Sequence, residues 1–229
     1  RALQERTRIY TFMSGLTSPS HGTRNHAGDD LNLGGLSDSS ARLLVQLLTD
    51  AYRVGDPDLQ WRVLAYLAHV GTAAGPAVPF LLEQLRSDSA DIRGRSVFAL
   101  EKIGPDARPA IPVLIELLQD RKDHVRAAAA SALRVFGPDA RNAIPRLIAN
   151  LDDASPEVRS SAAAALGAIG PEAKAAVPRL SEVLGKQDPN GNAAGNMVWA
   201  LGQIGPDAMP AVPLIIRMLN SERQERRLE

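Results

Sequence analysis

Few residues of this chain combine the right types and spacing for chemistry. His21, His26, Asp29 and Asp30 lie close together and carry donor atoms that suit a transition metal. They belong to SPSHGTRNHAGDDLNLGG, a Gly, Ser, Asn and Asp-rich run with no helix to fix them. A metal site needs ordered ligands, each oriented by further hydrogen bonds, so no metal is expected here. Asp188 to Asn192 (DPNGN) is faintly like a calcium loop, but its glycine comes too early for the EF-hand register. An Asn-Gly turn accounts for it better. His69 and His124 stand far apart, and neither is followed by glutamate. The sequence holds no glycine-rich phosphate loop, no G-x-S-x-G and no carboxylate pair that spacing alone would bring together. Cysteine is absent, which removes thiolate nucleophiles, disulfides and cysteine zinc sites. The expectation is a protein that is not an enzyme and that carries no cofactor.

Residues suited to recognition are a different set: Trp61, Phe98 and Trp199, with Glu101 and Arg134. Tryptophan and arginine are favoured anchors in interfaces. Whether they act as a set depends on the elements that carry them.

Those elements repeat. Gly71, Gly104, Gly137 and Gly170 are evenly spaced along the chain, and Gly205 follows after a slightly longer interval. Each opens one design: GTAAGPAVPFLLEQL, GPDARPAIPVLIELL, GPDARNAIPRLIANL, GPEAKAAVPRLSEVL and GPDAMPAVPLIIRML. A fixed period of about 33 residues indicates stacked supersecondary units, which form long binding surfaces more readily than catalytic pockets. Two helical patterns alternate within a unit. Ala110 to Asp120 sets Ile111, Leu114, Ile115 and Leu118 on one stripe, with Pro112 tolerated in the first turn. His124 to Phe136 sets Val125, Ala129, Ala132, Leu133 and Phe136 on another. Gly137-Pro138 then ends the second helix, glycine as C-cap and proline barring continuation.

Aligned by the glycines, the units yield columns. Leu67, Leu100, Leu133, Leu166 and Leu201 form one core column; Val70, Ile103, Phe136, Ile169 and Ile204 form another. Burying each leucine contributes roughly 1.5–3 kcal/mol. Tyr66, Ala99, Ala132, Ala165 and Ala200 precede the leucines, and the alanines are small enough to let neighbouring second helices approach. The outward columns read Trp61, Gly94, Ala127, Ser160, Gly195, then Ala65, Phe98, Ser131, Ala164, Trp199, then Ala68, Glu101, Arg134, Gly167, Gly202. Mostly small residues make a smooth surface that a helix or extended peptide enters closely, and three aromatics interrupt it. Trp61, Phe98, Glu101, Arg134 and Trp199 are therefore the candidate partner-binding residues. The competing reading is that the aromatics fill gaps between helices.

Arg93, Arg126 and Arg159 follow the repeat prolines Pro79, Pro112 and Pro145 at one fixed offset, and Asp120 and Asp153 stand at a second fixed offset before their arginines. Such an aspartate accepts from backbone N–H groups at a helix start and from the arginine's fork, a ladder tying turns together. An anion-binding stripe is the functional alternative.

Proline, an aspartate in the turn that follows, Val-Arg, then an alanine-rich helix closed by Ile-Gly-Pro resembles the HEAT repeat. The form is similar to the bacterial type grouped with phycobilin-lyase HEAT-like repeats, over roughly residues 40–220. The resemblance implies a right-handed α-solenoid of helical hairpins, first helices on the convex side and second helices lining the concave side. It does not imply one activity. The His-Glu pairs of HEAT-like di-iron hydroxylases are missing. Gln60 replaces the arginine in the first unit and Ala194 in the last full one, which also carries the short insertion that delays Gly205.

The expected organisation is an N-terminal arm and linker over 1–37, a solenoid of about five helix pairs plus a final helix over 38–222, and a tail over 223–229. In the arm, Ile9, Tyr10, Phe12, Met13 and Leu16 are docking residues for the first repeat, whose first helix is expected over Ala41 to Arg53 behind N-cap candidates 37–40. The array ends on a lone first helix, Pro210 to Glu222, which either caps it or is followed by further chain. Lys+Arg and Asp+Glu balance at 26 each, so the surplus that drives nucleic-acid binding is missing. No apolar run is read as long enough to span a bilayer, and no signal peptide is visible. The lack of cysteine fits a reducing compartment, with the cytoplasm expected. The leading expectation is a monomeric scaffold binding a protein or peptide along the concave helix face, with no nucleic acid and no membrane. The alternatives are a phycobilin lyase or lyase-like chaperone subunit, and a nucleic-acid binder of the HEAT-like alkylpurine-glycosylase kind.

Overall fold

The computed structural model describes residues 2–18, 36–186 and 192–225. The histidine and aspartate group at His21, His26, Asp29 and Asp30, the turn residues 188–191 and the end of the tail lie outside the described residues. Every regular element among the described residues is helical. The chain forms two compact units, Arg1–Ala110 and Ile111–Glu229.

The first unit contains α1 (Ala2–Leu16), α2 (Asp38–Val54), α3 (Pro57–Val70), a 3-10 segment (Gly71–Ala77), α4 (Val78–Gln84), α5 (Ala90–Ile103) and a second 3-10 segment (Gly104–Ala110). Helix α3 packs between α2 and α5. Its start is fixed by Asp56, whose Oδ1 accepts the Leu59 N–H at 2.8 Å, with Pro57 in the first turn. Ser37 holds the N-cap position of α2, but its side chain is turned elsewhere: its N–H and Oγ both donate to the buried carboxylate of Glu5, at 3.1 and 2.7 Å. This anchors α1 on α2. Ile9, Phe12, Met13 and Leu16 are buried, whereas Tyr10, expected among the docking residues, is exposed. Phe12 meets Tyr66 edge-on at 4.9 Å between ring centroids. Tyr66 stands where the other repeats carry alanine, and α1 supplies the ring it packs against.

The second unit contains α6 (Ile111–Leu117), α7 (Asp123–Phe136), a 3-10 segment (Gly137–Ala143), α8 (Ile144–Asn150), α9 (Pro156–Ile169), a 3-10 segment (Gly170–Ala176), α10 (Val177–Leu184), α11 (Asn192–Ile204), a 3-10 segment (Gly205–Ala211) and α12 (Val212–Glu225). Long helix α9 lies between α7 and α11, and the short helices pack on the long ones that follow them. The leucine column and the alanines beside it, Ala132, Ala165 and Ala200, are buried, so the long helices meet across small side chains.

The repeat glycines turn the chain at every joint. Gly71, Gly104, Gly137, Gly170 and Gly205 are the positive-φ residues among those described, and the N–H of Gly137 closes α7 on the Arg134 carbonyl. With φ 52° and ψ −130°, Gly137 adopts a conformation essentially reserved for glycine. The expected single first helix, Ala110 to Asp120, is corrected: Gly104–Ala110 winds as 3-10, and the α-helix is confined to Ile111–Leu117. The physical reason is in the sequence. A 3-10 turn holds three residues, so side chains three apart eclipse. Ala74 and Ala77, Ala107 and Ala110, Ala140 and Ala143, Ala173 and Ala176, and Ala208 and Ala211 are such pairs, all buried. The terminal helix likewise begins at Val212 rather than Pro210.

The stretch Pro57–Gln84 is long and apolar enough by composition to cross a bilayer, which corrects the reading that no run is. It is bent at Gly71 into α3, 3-10 and α4, with Leu64, Leu67, Ala74, Ala77 and Leu81 buried in the first unit.

The arginine ladder takes a longer step than spacing suggests. Arg126 donates Nη1 to the Asp120 carbonyl at 2.8 Å, while its Nε and Nη2 grip the carboxylate of Asp153, one repeat on, at 2.8 and 2.9 Å. Asp153 also caps its own turn, accepting the Ser155 N–H at 2.9 Å. Hydrogen bonds from Arg126 hold the Asp153 carboxyl below its ordinary range, opposed by burial and aided by Ser155. Gln60, in the arginine's place in the first unit, donates to the Tyr52 carbonyl at 3.3 Å.

Candidate functional site

The long helices carry all five candidate residues, three in the first unit and two in the second. In the first unit Trp61 projects from α3 and Phe98 from α5, 44% and 49% exposed, and Glu101 is half-buried one turn beyond Phe98. Each ring has a cation: the Arg95 guanidinium lies 4.0 Å from the Trp61 centroid, and Lys102 Nζ lies 4.9 Å from that of Phe98. Burial lowers the Arg95 pKa from its ordinary value, with Asp91 opposing, and the group stays charged.

In the second unit Trp199 on α11 is 43% exposed and leans over Gly167 on α9. A Cβ placed on Gly167 would meet Trp199 Cζ3 at 2.5 Å and Ala200 Cα at 2.9 Å, so the glycine is the seat of the ring. Arg134, Ala164, Asn196 and Trp199 line an open recess of about 340 Å³. Asn196 Nδ2 donates to Ser160 Oγ at 2.8 Å, which fixes the carboxamide on the recess wall. The structure thus brings Arg134 and Trp199 to one recess.

Three outward-column assignments are corrected. Ala68, Ala127 and Gly167 are buried. A small side chain is covered where a neighbour's longer one lies over it, as Trp199 lies over Gly167. Arg95 and Asn196 are the site residues that the sequence reading missed. They share the column beside Trp61, which reads Arg62, Arg95, Ala128, Ser161 and Asn196, and its polar members were the available signal. No group of three His, Asp or Glu among the described residues could hold a metal ion.

Residues 78–143 and 144–229 match the family model for HEAT repeats. The chain belongs to the HEAT-repeat family, an all-α solenoid class of helical hairpins that here follow the spacing of the repeat glycines. A designed armadillo repeat protein in complex with the peptide (KR)4 is similar at TM-score 0.65 and 18% identity, over 86% of this chain and 99% of that one. The crystal structure of an engineered protein is similar at TM-score 0.63 and 24% identity, over 87% and 97%. The complex of CpcE and CpcF of phycocyanin lyase from Nostoc sp. PCC7120 is similar at TM-score 0.52 and 23% identity, over 69% and 98%. At these identities the likeness is one of fold. No curated protein matches the chain in sequence. The fold is one typical of protein-binding scaffolds.

Proposed function

We propose that this HEAT-repeat protein is a non-enzymatic scaffold whose long-helix face binds a partner protein or peptide, with Trp61, Phe98, Glu101, Arg134 and Trp199 as contact residues. The observation that carries the reading is the exposure, near one half, of three large aromatic side chains on that face. Leaving such rings in water forgoes the stabilisation their burial would give, and a half-covered ring seated on glycine is already rigid enough to serve as an anchor. Similarity of fold to a designed repeat protein holding a peptide supports the class of partner.

A displayed library of random peptides, selected on the intact protein, tests this. Wild type enriches peptides; Trp61→Ala/Phe98→Ala/Trp199→Ala, with unchanged helical circular dichroism, loses them, each anchor being worth about 2 kcal/mol or more. Equal enrichment by the folded triple variant removes these residues from the interface.

A further inference from the structure

We propose that the recess between Arg134 and Trp199 selects an acidic side chain, so that the partner segment is a peptide with glutamate or aspartate at the residue lodged there. The inference rests on the scaffold reading above and names the chemistry of one contact within it.

Charge is the first argument. The outward columns of the second unit read Ala127, Ser160, Gly195, then Ser131, Ala164, Trp199, then Arg134, Gly167, Gly202. Arg134 is the one formal charge among them, and the neighbouring column, Ala128, Ser161 and Asn196, adds none. Arg134 is exposed, and it takes part in none of the ion pairs among the described residues. Three arginines on the long and short helices are already engaged: Arg126 grips Asp153, Arg179 pairs with Asp152 and Glu182, and Arg62 pairs with Asp58. A guanidinium offers a planar fork of donors that matches a carboxylate in two parallel hydrogen bonds.

Shape and polarity add a second argument. The recess is open and walled on one side by the Trp199 ring, which the Gly167 seat holds in place. An aliphatic stem lies against an indole face, whereas a carboxylate avoids it and is directed to the arginine. Asn196 gives its Nδ2 to Ser160, which leaves its Oδ1 as an acceptor for a backbone N–H of an incoming strand. A carboxylate for Arg134, a methylene stem for Trp199 and an amide N–H for Asn196 are the parts of one acidic residue in a peptide. A basic residue would set its charge against Arg134.

The test uses the same random-peptide selection on the full chain, with wild type, Arg134→Ala and Arg134→Glu run side by side; Arg134 is exposed, and circular dichroism checks that both variants fold. Wild type is expected to enrich Asp or Glu at one register of the selected peptides. Arg134→Glu is expected to replace that preference with Lys or Arg. A synthetic peptide of the wild-type consensus should bind Arg134→Ala about tenfold or more weakly, as removal of a charge-assisted pair implies. The same peptide should change the emission of Trp199, read alone in Trp61→Phe. Identical consensus sequences on wild type and Arg134→Glu would overturn the inference and leave the scaffold reading standing. Failure of wild type to enrich any peptide would overturn both.

Discussion

Gly167 offers a sharp test of how the long helices fit together. An added Cβ would lie 2.5 and 2.7 Å from Trp199 Cζ3 and Cε3, and 2.9 Å from Ala200 Cα. The ring could swing outward, but the Ala200 backbone belongs to α11 and moves only with that helix. Alanine in place of a glycine in the last turn of a helix gains up to about 1 kcal/mol of helix propensity. Overpacking against backbone costs about 1–3 kcal/mol, so Gly167→Ala should be neutral to destabilising by about 2 kcal/mol. Gly202 provides the control. It occupies the same column one repeat on, is exposed, and would place its Cβ within 4 Å of nothing. Gly202→Ala should therefore stabilise by about 0.5–1 kcal/mol. The two variants should differ by about 2 kcal/mol, or roughly 4–8 °C in Tm for a chain of this size. Thermal and urea unfolding of both measure the difference, and Trp199 emission in Trp61→Phe reports whether the ring has moved. If Gly167→Ala proves as stable as Gly202→Ala, the glycine is not the seat of the ring and the geometry argued for the recess fails with it.

Other perturbations probe the remaining joints. Asp153→Asn removes one partner of a largely shielded, bidentate pair and should cost about 1–3 kcal/mol in urea unfolding at neutral pH. Because the folded Asp153 pKa is depressed, its stabilisation is complete above the unfolded value, about 4, and is lost as pH falls through the folded one. The gap between wild type and Asp153→Asn should thus close in acid; a gap independent of pH would refute the pair's role. Gly137→Ala should destabilise by about 1–3 kcal/mol, since φ 52° with ψ −130° strains any side chain, and an unchanged unfolding midpoint would count against it. Phe12→Ala should undock α1, removing a ring worth about 3–5 kcal/mol to that contact. Hydrogen exchange should then lose protection over Ala2–Leu16 while α9 keeps its own.

Much of the fold was legible because one spacing recurs in step across many residue types. The five glycines, the leucine column and the alanines beside it each occupy the position their period implies. The 3-10 segments were also written in the chain, as two alanines three apart in every repeat, but a reading tuned to the α-helical stripe passes over a period of three. The site was less legible. A residue's helical face follows from its own position, whereas its cover depends on the length of side chains a repeat away. Gly167 counts as outward until Trp199 is laid over it, and Arg95 becomes a site residue only when its guanidinium is found above Trp61. The arginine ladder was anticipated in kind, yet its forward reach from Arg126 to Asp153 depends on how far one turn lies from the next.

The positive-φ glycine and the alanine pair that follows it have a consequence for how such a chain changes length. Gly104, Gly137 and Gly170 begin segments with the same backbone and the same two buried methyl groups, spaced identically along the chain. A crossover between the coding sequences of any two of these segments would join ends that already match in conformation and in the contacts they present. The product would gain or lose a whole number of repeats, and the backbone of its new junction would be one the protein already contains. Array length is thus a quantity that recombination can adjust one whole repeat at a time while keeping the backbone of every joint.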